Sequence, residues 1–185
     1  MSNELQLRLQ EEVVHLRADV RELAERCTAL EVEVGTLSNL YVASQRLHET
    51  LDRGEVLRAI EEILINLVGS EELAIYEVDD GAATLSLLSS FGLPRERFAS
   101  RRVDDGPIGR AVRTGKTVVV DGAAAAGDEP KLTACVPLCV RDRVIGVIAL
   151  FQLLPQKSRL EPVDHDLFDL LTTAAATALH NAEKP

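Results

Sequence analysis

The sequence predicts an α+β domain with an antiparallel sheet, preceded by a parallel dimeric coiled coil. Three observations lead to this prediction. Apolar residues recur in heptads near the start of the chain, amphipathic helical patterns lie on both sides of the remaining segment, and short β-type segments separated by turn residues lie between them. We expect a coiled-coil dimerisation helix over residues 1–37, an α+β domain over 38–182 and a tail over 183–185.

The composition is that of a globular protein with an acidic charge balance. The 185 residues are 46% hydrophobic and 27% charged, and the formal net charge is −10. Nucleic acids and anionic membranes select cationic surfaces, so we expect neither as a partner. The longest apolar run, Val144 to Phe151, is too short to span a bilayer. The first residues lack the basic and apolar regions of a signal peptide, and we therefore expect a cytoplasmic protein.

The heptad repeat is the strongest periodic signal in the sequence. Leucine occupies the d positions and valine or cysteine the a positions, a pattern that favours two parallel strands. Glu12 faces Arg17 and Arg26 faces Glu31 across such a dimer, so the flanking charges attract in this register. The alternative, a single amphipathic helix docked on its own domain, explains the four uninterrupted heptads less well. The predicted seam consists of Leu9, Val13, Leu16, Val20, Leu23, Cys27, Leu30, Val34 and Leu37.

The first elements of the domain follow the seam. After Leu37 the heptad pattern weakens, so the helix continues but its apolar face must contact another neighbour. A second amphipathic helix is predicted over 55–68, because its apolar residues share one stripe. Residues 73–78 are typical of a strand, and Asp79-Asp80-Gly81 provides the turn chemistry that leads into a return strand over 84–90.

The second half of the domain is predicted to complete the sheet. A short helix over 106–115 precedes a short buried strand over 118–120. Residues 133–140 and 144–153 are predicted to form a long hairpin, and the last helix begins near Pro162. The sheet is therefore antiparallel, and the helices at the two ends of the domain are expected to cover one face of it.

The glycine and proline pattern of this half resembles that of GAF domains. The matching residues are Gly106-x-x-Gly109-x-x-Val112-x-Thr114-Gly115, Val118 to Asp121, Val136-Pro137-Leu138 and Val144-Ile145-Gly146-Val147. The resemblance covers about residues 38–182 and implies a GAF-like sheet of order 2-1-5-4-3, with helices on one face and, in many members, a ligand pocket on the other. It also implies a sensory or regulatory role, because the family includes cyclic-nucleotide, chromophore and haem sensors and members that only dimerise or hold partners.

The sequence lacks the features that the ligand-binding branches of this family use. The Asn-Lys-Phe-Asp-Glu motif of the cyclic-nucleotide branch is absent, and no histidine lies between His48 and His165 to hold a haem or chromophore. The connection from Asp121 to Lys131 is short and rich in alanine and glycine, where ligand-binding relatives usually have a lid helix. We therefore expect no cofactor and a small or collapsed cavity. A cavity of about 300 Å³ or more would favour a ligand sensor.

The three cysteines do not indicate a catalytic or metal-binding role. Cys135 and Cys139 are four residues apart on a predicted strand and therefore share one face. A few GAF proteins are free methionine sulfoxide reductases with cysteines on mobile loops, whereas these two lie in a hydrophobic strand and are expected to be inert core residues. Metal-ligand spacing is also absent. We expect neither a metal site, nor catalytic residues, nor enzymatic activity.

One basic segment interrupts the acidic background. Residues 95–116 contain seven bases and three acids, whereas 54–94 contain one base and eight acids. The stretch 95–102 is expected to cross the surface as a connection, because no apolar pattern buries it. Arginine is favoured at protein interfaces, so the segment is predicted to dock an acidic protein partner; the alternative is a solvated face. The candidate docking residues are Arg95, Arg97, Arg101, Arg102, Arg110 and Arg113.

These observations predict a non-enzymatic signalling or scaffold module. In this interpretation a coiled-coil homodimer presents GAF domains to an acidic protein partner. The alternative function is a small-ligand sensor, in which occupancy of a pocket in the domain is transmitted to the coiled coil.

Overall fold

A computed structural model describes most of the chain, which divides into two compact units, Met1–Asn39 and Leu40–Pro185. The described residues are 2–79, 84–103, 106–120 and 130–182. Most of the turn predicted at 79–81, most of the connection 121–131 and the tail at 183–185 lie outside them. No described helix combines the length and the apolar character needed to cross a membrane.

The first unit is helical throughout its described residues. Helix α1 begins at Ser2 and ends at His48, so it provides this unit and also the first element of the second. Glu22 and Arg26 form an ion pair of 2.7 Å one turn apart on its surface. The helix predicted for the seam is therefore present, and its last nine residues belong to the domain.

Helix α2, Arg53–Ile63, begins and ends at local signals. The carboxylate of Asp52 caps it by accepting a hydrogen bond of 2.8 Å from the backbone N–H of Glu55. A π-helical turn, Leu64–Val68, continues it to Gly69. Gly69 has a φ of 74°, a left-handed conformation that glycine adopts without strain at a helix end. The predicted helix over 55–68 is confirmed.

The sheet contains six antiparallel strands in the order β3-β2-β1-β6-β5-β4. Numbered by the five predicted strands, this is the expected order 2-1-5-4-3 with one additional edge strand. The strands are β1 Ser70–Val78, β2 Thr84–Phe91, β3 Ser100–Arg102, β4 Val118–Val119, β5 Ala134–Val140 and β6 Arg143–Leu153. The remaining helices are α3 Arg95–Phe98, α4 Pro107–Thr114, α5 Pro162–Leu170 and α6 Ala176–Asn181, with a π-helical turn, Leu171–Ala175, between the last two.

The additional strand corrects the expected surface connection over 95–102. This stretch contains α3 and β3, and β3 pairs with β2 through Ser86 and Ser100. Phe98 at the end of α3 is only 1% exposed, so a single aromatic side chain anchors the segment. A lone buried residue produces no periodic pattern, which is why the sequence did not predict these two elements.

The sheet has a hydrophobic cluster on each of its faces. The helical face packs against the last turns of α1 and against α2, α5 and α6, and Ile75 and Val136 belong to it. The α4 face packs against α3 and α4, and Tyr76 and Cys135 belong to it. A Cβ atom at Gly146 would lie 2.4 Å from the carbonyl oxygen of Tyr76, so the close contact between β6 and β1 requires glycine there.

Candidate functional site

All nine predicted seam residues are exposed on the first unit. The eight apolar ones are between 44% exposed, for Val13, and 64% exposed, for Val20. Cys27 at the central a position is also exposed. A row of large apolar side chains open to water on one helix is typical of a helix that lacks its partner.

The last nine residues of α1 pack on the domain through a different set of positions. Ala43 and Leu47 are buried in the helical-face cluster, and Leu40 packs against it. At 100° per residue these positions lie about 110° around the helix from the a and d positions. Tyr41, at an a position, remains 65% exposed. The expectation that the helix contacts another neighbour after Leu37 is confirmed.

The basic segment is held by α3 and β3 on one side. Phe98 is buried on the α4 face, where its ring lies 5.4 Å from that of Phe151 in an edge-to-face arrangement. The guanidinium carbon of Arg101 lies 5.4 Å from the centroid of the Phe98 ring. Arg95 and Arg97 are exposed on α3, and Arg102 is exposed on β3.

Helix α4 holds the other side of the basic segment. Ile108 and Ala111 are buried on the α4 face, whereas Arg110 and Arg113 are exposed. Residues three apart on a helix share one side, so these two guanidinium groups point away from the core together. Gly115 ends the helix in a left-handed conformation with a φ of 62°.

Arg110 of α4 and Arg101 of β3 are both close enough to the buried Cys135 for their charges to act on its thiol. Burial raises the pKa of the Cys135 thiol to about 12, and the charges of Arg110 and Arg101 oppose this rise. One cation comes from α4 and the other from β3, so both lie on the α4 side of the sheet within electrostatic reach of the same strand. We use the name basic surface for Arg95, Arg97, Arg101, Arg102, Arg110 and Arg113.

The cysteines of β5 are poor nucleophiles in this environment. Cys135 is fully buried, and the Sγ atom of Cys139 lies 3.9 Å from the carbonyl oxygen of Gly115 at the end of α4. Both thiols therefore lie on the α4 side of the sheet, as expected from their spacing. Burial also raises the pKa of Cys139. The thiolate is the reactive form, and a raised pKa keeps it scarce at neutral pH.

Hydrophobic side chains cover the α4 face of the sheet where α3 and α4 pack on it. Within residues 2–79, 84–103, 106–120 and 130–182, no group of three His, Cys, Asp or Glu residues is placed to hold a metal ion. Phe98, Ile108, Ala111 and Phe151 pack together on this face. The connection that would supply a lid lies mostly outside the described residues.

A large groove opens on the other side of the sheet, on the helical face, and the sequence did not predict it. It has a volume of about 1030 Å³. Its walls are the β5–β6 hairpin, the last turns of α6, the start of α2 and the end of β1. We call it the hairpin groove; among its lining residues are Arg53, Glu77, Leu138, Arg141, Arg143, Ile145, Thr177, Leu179 and His180.

Two features distinguish the polar part of the hairpin groove. Arg53 Nη2 lies 2.7 Å from Glu77 Oε1, and their side chains are only 11% and 32% exposed, so a partly buried ion pair forms one wall. Arg141 has a φ of 55°, and it is the only residue other than glycine with a positive φ among those described. No pattern in the sequence brings Arg53, Glu77 and Arg141 together, because they come from α2, β1 and the β5–β6 connection.

Comparison with known proteins places this fold in a family. The family model described as the GAF domain matches residues 50–180. No curated protein gives a significant match. Each of three solved structures matches with a TM-score of about 0.6 and low sequence identity.

A structure of a methyl-accepting chemotaxis protein, residues 122 to 287, is 22% identical at a TM-score of 0.60, covering 75% of this chain and 94% of that one. The GAF domain of an Acinetobacter phosphoenolpyruvate-protein phosphotransferase is 19% identical at a TM-score of 0.61, and the match covers 78% of this chain and 92% of that one. The free methionine-R-sulfoxide reductase from Neisseria meningitidis, in complex with its substrate, is 21% identical at a TM-score of 0.62. This match covers 80% of this chain and 89% of that one.

Identities this low show only a shared fold, but the family match covers most of the domain and agrees with the observed strand order. The chain belongs to the GAF domain family.

Proposed function

We propose that the protein is a non-enzymatic signalling scaffold in which a parallel coiled-coil homodimer presents two GAF domains to an acidic protein partner. GAF domains are signalling and sensory modules, and the fold therefore supports the general class. The observation that carries the proposal is the uninterrupted row of exposed apolar side chains at the a and d positions of α1.

Burial of this row supplies the driving force for dimerisation. Transfer of one leucine or valine side chain from water into an apolar contact stabilises by roughly 1.5–3 kcal/mol. Burial of eight such residues on each of two chains therefore contributes more free energy than the chains lose in translational and rotational entropy on association. Leucine at d and valine at a favour two parallel strands over other assemblies.

The basic surface is the candidate site for the partner. Its arginines are positioned by ordered elements, with Phe98 and Ile108 buried beneath them. Side chains held on a rigid support lose less conformational entropy on binding. The rest of the molecule is acidic, since the whole chain carries a formal charge of −10. The cationic patch therefore attracts acidic surfaces, and this attraction weakens as salt increases.

The absence of enzymatic activity in this proposal rests on the two cysteines of β5, of which Cys135 is buried and Cys139 is half-buried. The free methionine-R-sulfoxide reductase of similar fold is only 21% identical, a level at which the fold alone is shared. In this chain burial raises the pKa of both Cys135 and Cys139, which makes them unsuited to nucleophilic attack. Burial raises the pKa of Cys135 by more than the charges of Arg110 and Arg101 lower it.

Charge reversal tests the partner site directly. Full-length protein is used as bait, and the captured proteins are compared for the wild type, for Arg110→Glu with Arg113→Glu, and for a control with Arg58→Glu and Arg159→Glu. The control pair is exposed and lies outside the basic surface, and it changes the net charge by the same amount. We expect acidic proteins to be retained by the wild type and the control and lost by the Arg110/Arg113 variant. Equal retention by both variants would contradict the assignment.

The second candidate function, a small-ligand sensor, is favoured by one observation. The hairpin groove is larger than the cavity of about 300 Å³ above which we expect a sensor. It lies on the helical face, however, whereas the family resemblance implied a ligand pocket on the opposite face of the sheet.

A further inference from the structure

We propose that the hairpin groove binds a small amphipathic carboxylate, that is, an organic anion with an apolar body. This inference deepens the second candidate function, and it depends neither on the seam nor on the basic surface. Its location separates it from the packed α4 face, because the groove is formed on the side of the sheet that carries α2 and α6.

The size and floor of the groove suit a small molecule. Its volume of about 1030 Å³ matches the upper end of ordinary ligand pockets, which hold roughly 300–1,000 Å³. Val140 and Ile145 are half-buried and contribute apolar surface to the lining, whereas Leu138 and Leu179 also line the groove but are almost completely buried in the helical-face cluster. An apolar ligand body can therefore replace water against side chains that are already fixed by packing.

The charges around the groove favour an anion. Three arginines, Arg53, Arg141 and Arg143, line it together with two carboxylates, Glu77 and Asp142. The lining thus has an excess of positive charge in a molecule whose net charge is strongly negative. Planar guanidinium groups match the geometry of a carboxylate, which they bind through two parallel hydrogen bonds.

The backbone at Arg141 supports a binding role for its side chain. Arg141 and Asp142 form the two-residue connection of the β5–β6 hairpin, in which Val140 pairs with Arg143. Connections of this length favour glycine or asparagine where φ is positive, and arginine at a φ of 55° is strained. Strained residues of this kind concentrate at functional sites. The strain in this turn therefore fits a site that uses the arginine side chain at the edge of the groove.

The probe for this site is decanoate, compared with decan-1-ol and with acetate. Decanoate has both the charge and the apolar body, whereas each of the other two has only one of them. Binding to the full-length protein is measured by isothermal titration calorimetry below the critical micelle concentration, and thermal unfolding is followed in parallel. We expect saturable binding of decanoate and binding at least about tenfold weaker for the other two compounds, since each lacks one class of contact.

Two variants locate the binding. Arg141→Gly removes the guanidinium and relieves the strained φ, so we expect a higher melting temperature without ligand and at least about tenfold weaker decanoate binding. Thr177→Trp fills the groove from an exposed position of α6, and we expect it to abolish binding while the domain remains folded. The control is Arg159→Gly, an exposed arginine outside the groove, which should leave the affinity unchanged.

The outcomes separate this inference from the scaffold proposal. Equal binding of decanoate and decan-1-ol, or unchanged decanoate affinity in both groove variants, would overturn the site. Light scattering on the same samples reports the dimer independently, because no seam residue lines the groove. A chain that binds decanoate as a monomer would overturn the dimer and leave the site intact.

Discussion

The guanidinium carbon of Arg101 lies 5.4 Å from the centre of the Phe98 ring, above a side chain that is 1% exposed. A cation over an aromatic face is attracted by the electron density of the ring. This contact joins β3 to α3, and Phe98 in turn joins α3 to the core through Phe151. The α3–β3 side of the basic surface therefore depends on one aromatic anchor.

The first prediction concerns this anchor. Phe98→Ala should lower the free energy of unfolding by about 3–5 kcal/mol, because it removes a buried ring and leaves a cavity. It should also loosen the segment 95–102, which hydrogen exchange at β3 can detect. The control is Phe91→Ala, which truncates a ring that is already 43% exposed and should have a much smaller effect in urea denaturation. Similar losses for the two variants would show that Phe98 is not the anchor.

The second prediction concerns the direction of the coiled coil. In a parallel, in-register dimer each Cys27 at an a position faces Cys27 of the second chain, close enough for a disulfide. Mild oxidation with copper phenanthroline should give a covalent dimer on a non-reducing gel. Cys27→Ala should abolish the covalent dimer, whereas Cys135→Ala should not, because Cys135 is buried in the sheet. A dimer that resists cross-linking through Cys27 would favour an antiparallel arrangement.

The third prediction concerns alkaline pH. The pKa of Cys135 is about 12 in the folded protein against a reference value of 9.0. Between these values the unfolded chain loses a proton that the folded chain keeps, so stability falls as pH rises. Cys135 alone contributes a loss of about 1 kcal/mol per pH unit over this window. The measurement is urea denaturation from pH 8 to 11, comparing the wild type with Cys135→Ala, which should lose stability less steeply. If the free energy of unfolding falls equally steeply with pH in the two proteins, burial does not raise the pKa of Cys135.

The fourth prediction concerns the start of α5. The carboxylate of Asp164 is fully buried and lies 2.7 Å from Lys157 Nζ, and it also accepts a hydrogen bond from the backbone N–H of Glu161. Asp164→Ala leaves the ammonium and the helix end without this acceptor and should destabilise by about 3–5 kcal/mol. Asp169→Ala, on the exposed side of α5, is the matched control and should change stability little. Thermal and urea unfolding of both variants provide the comparison.

Local signals made much of the fold predictable. The apolar stripe of residues 55–68 predicted a helix, and Gly69 ends it in the structure. Pro162 begins α5 where the sequence predicted a helix start. The hairpin of β5 and β6 follows from two apolar segments separated by a short polar turn. The order of the strands came from the family resemblance, because antiparallel segments alone leave several orders open.

The features that escaped prediction are those that need distant residues. Strand β3 has the sequence Ser-Arg-Arg, which carries no alternation, and it forms because β2 offers an edge and Phe98 holds the chain there. The ion pair of Arg53 with Glu77 joins a helix start to a strand end, so it contributed no pattern along the chain. The hairpin groove was missed for the same reason. The strain at Arg141 was visible in principle, since arginine is unusual in a two-residue hairpin turn.

The mass of the full-length protein in solution tests the central claim most directly. Multi-angle light scattering at micromolar concentration should give twice the chain mass of 20.2 kDa for the wild type. Leu23→Lys buries an ammonium at a d position and should give the single-chain mass with an unchanged melting transition of the domain. Val32→Lys, at an exposed f position outside the seam, should remain a dimer. A wild-type monomer, or a Leu23→Lys variant that stays dimeric, would contradict the coiled-coil assembly.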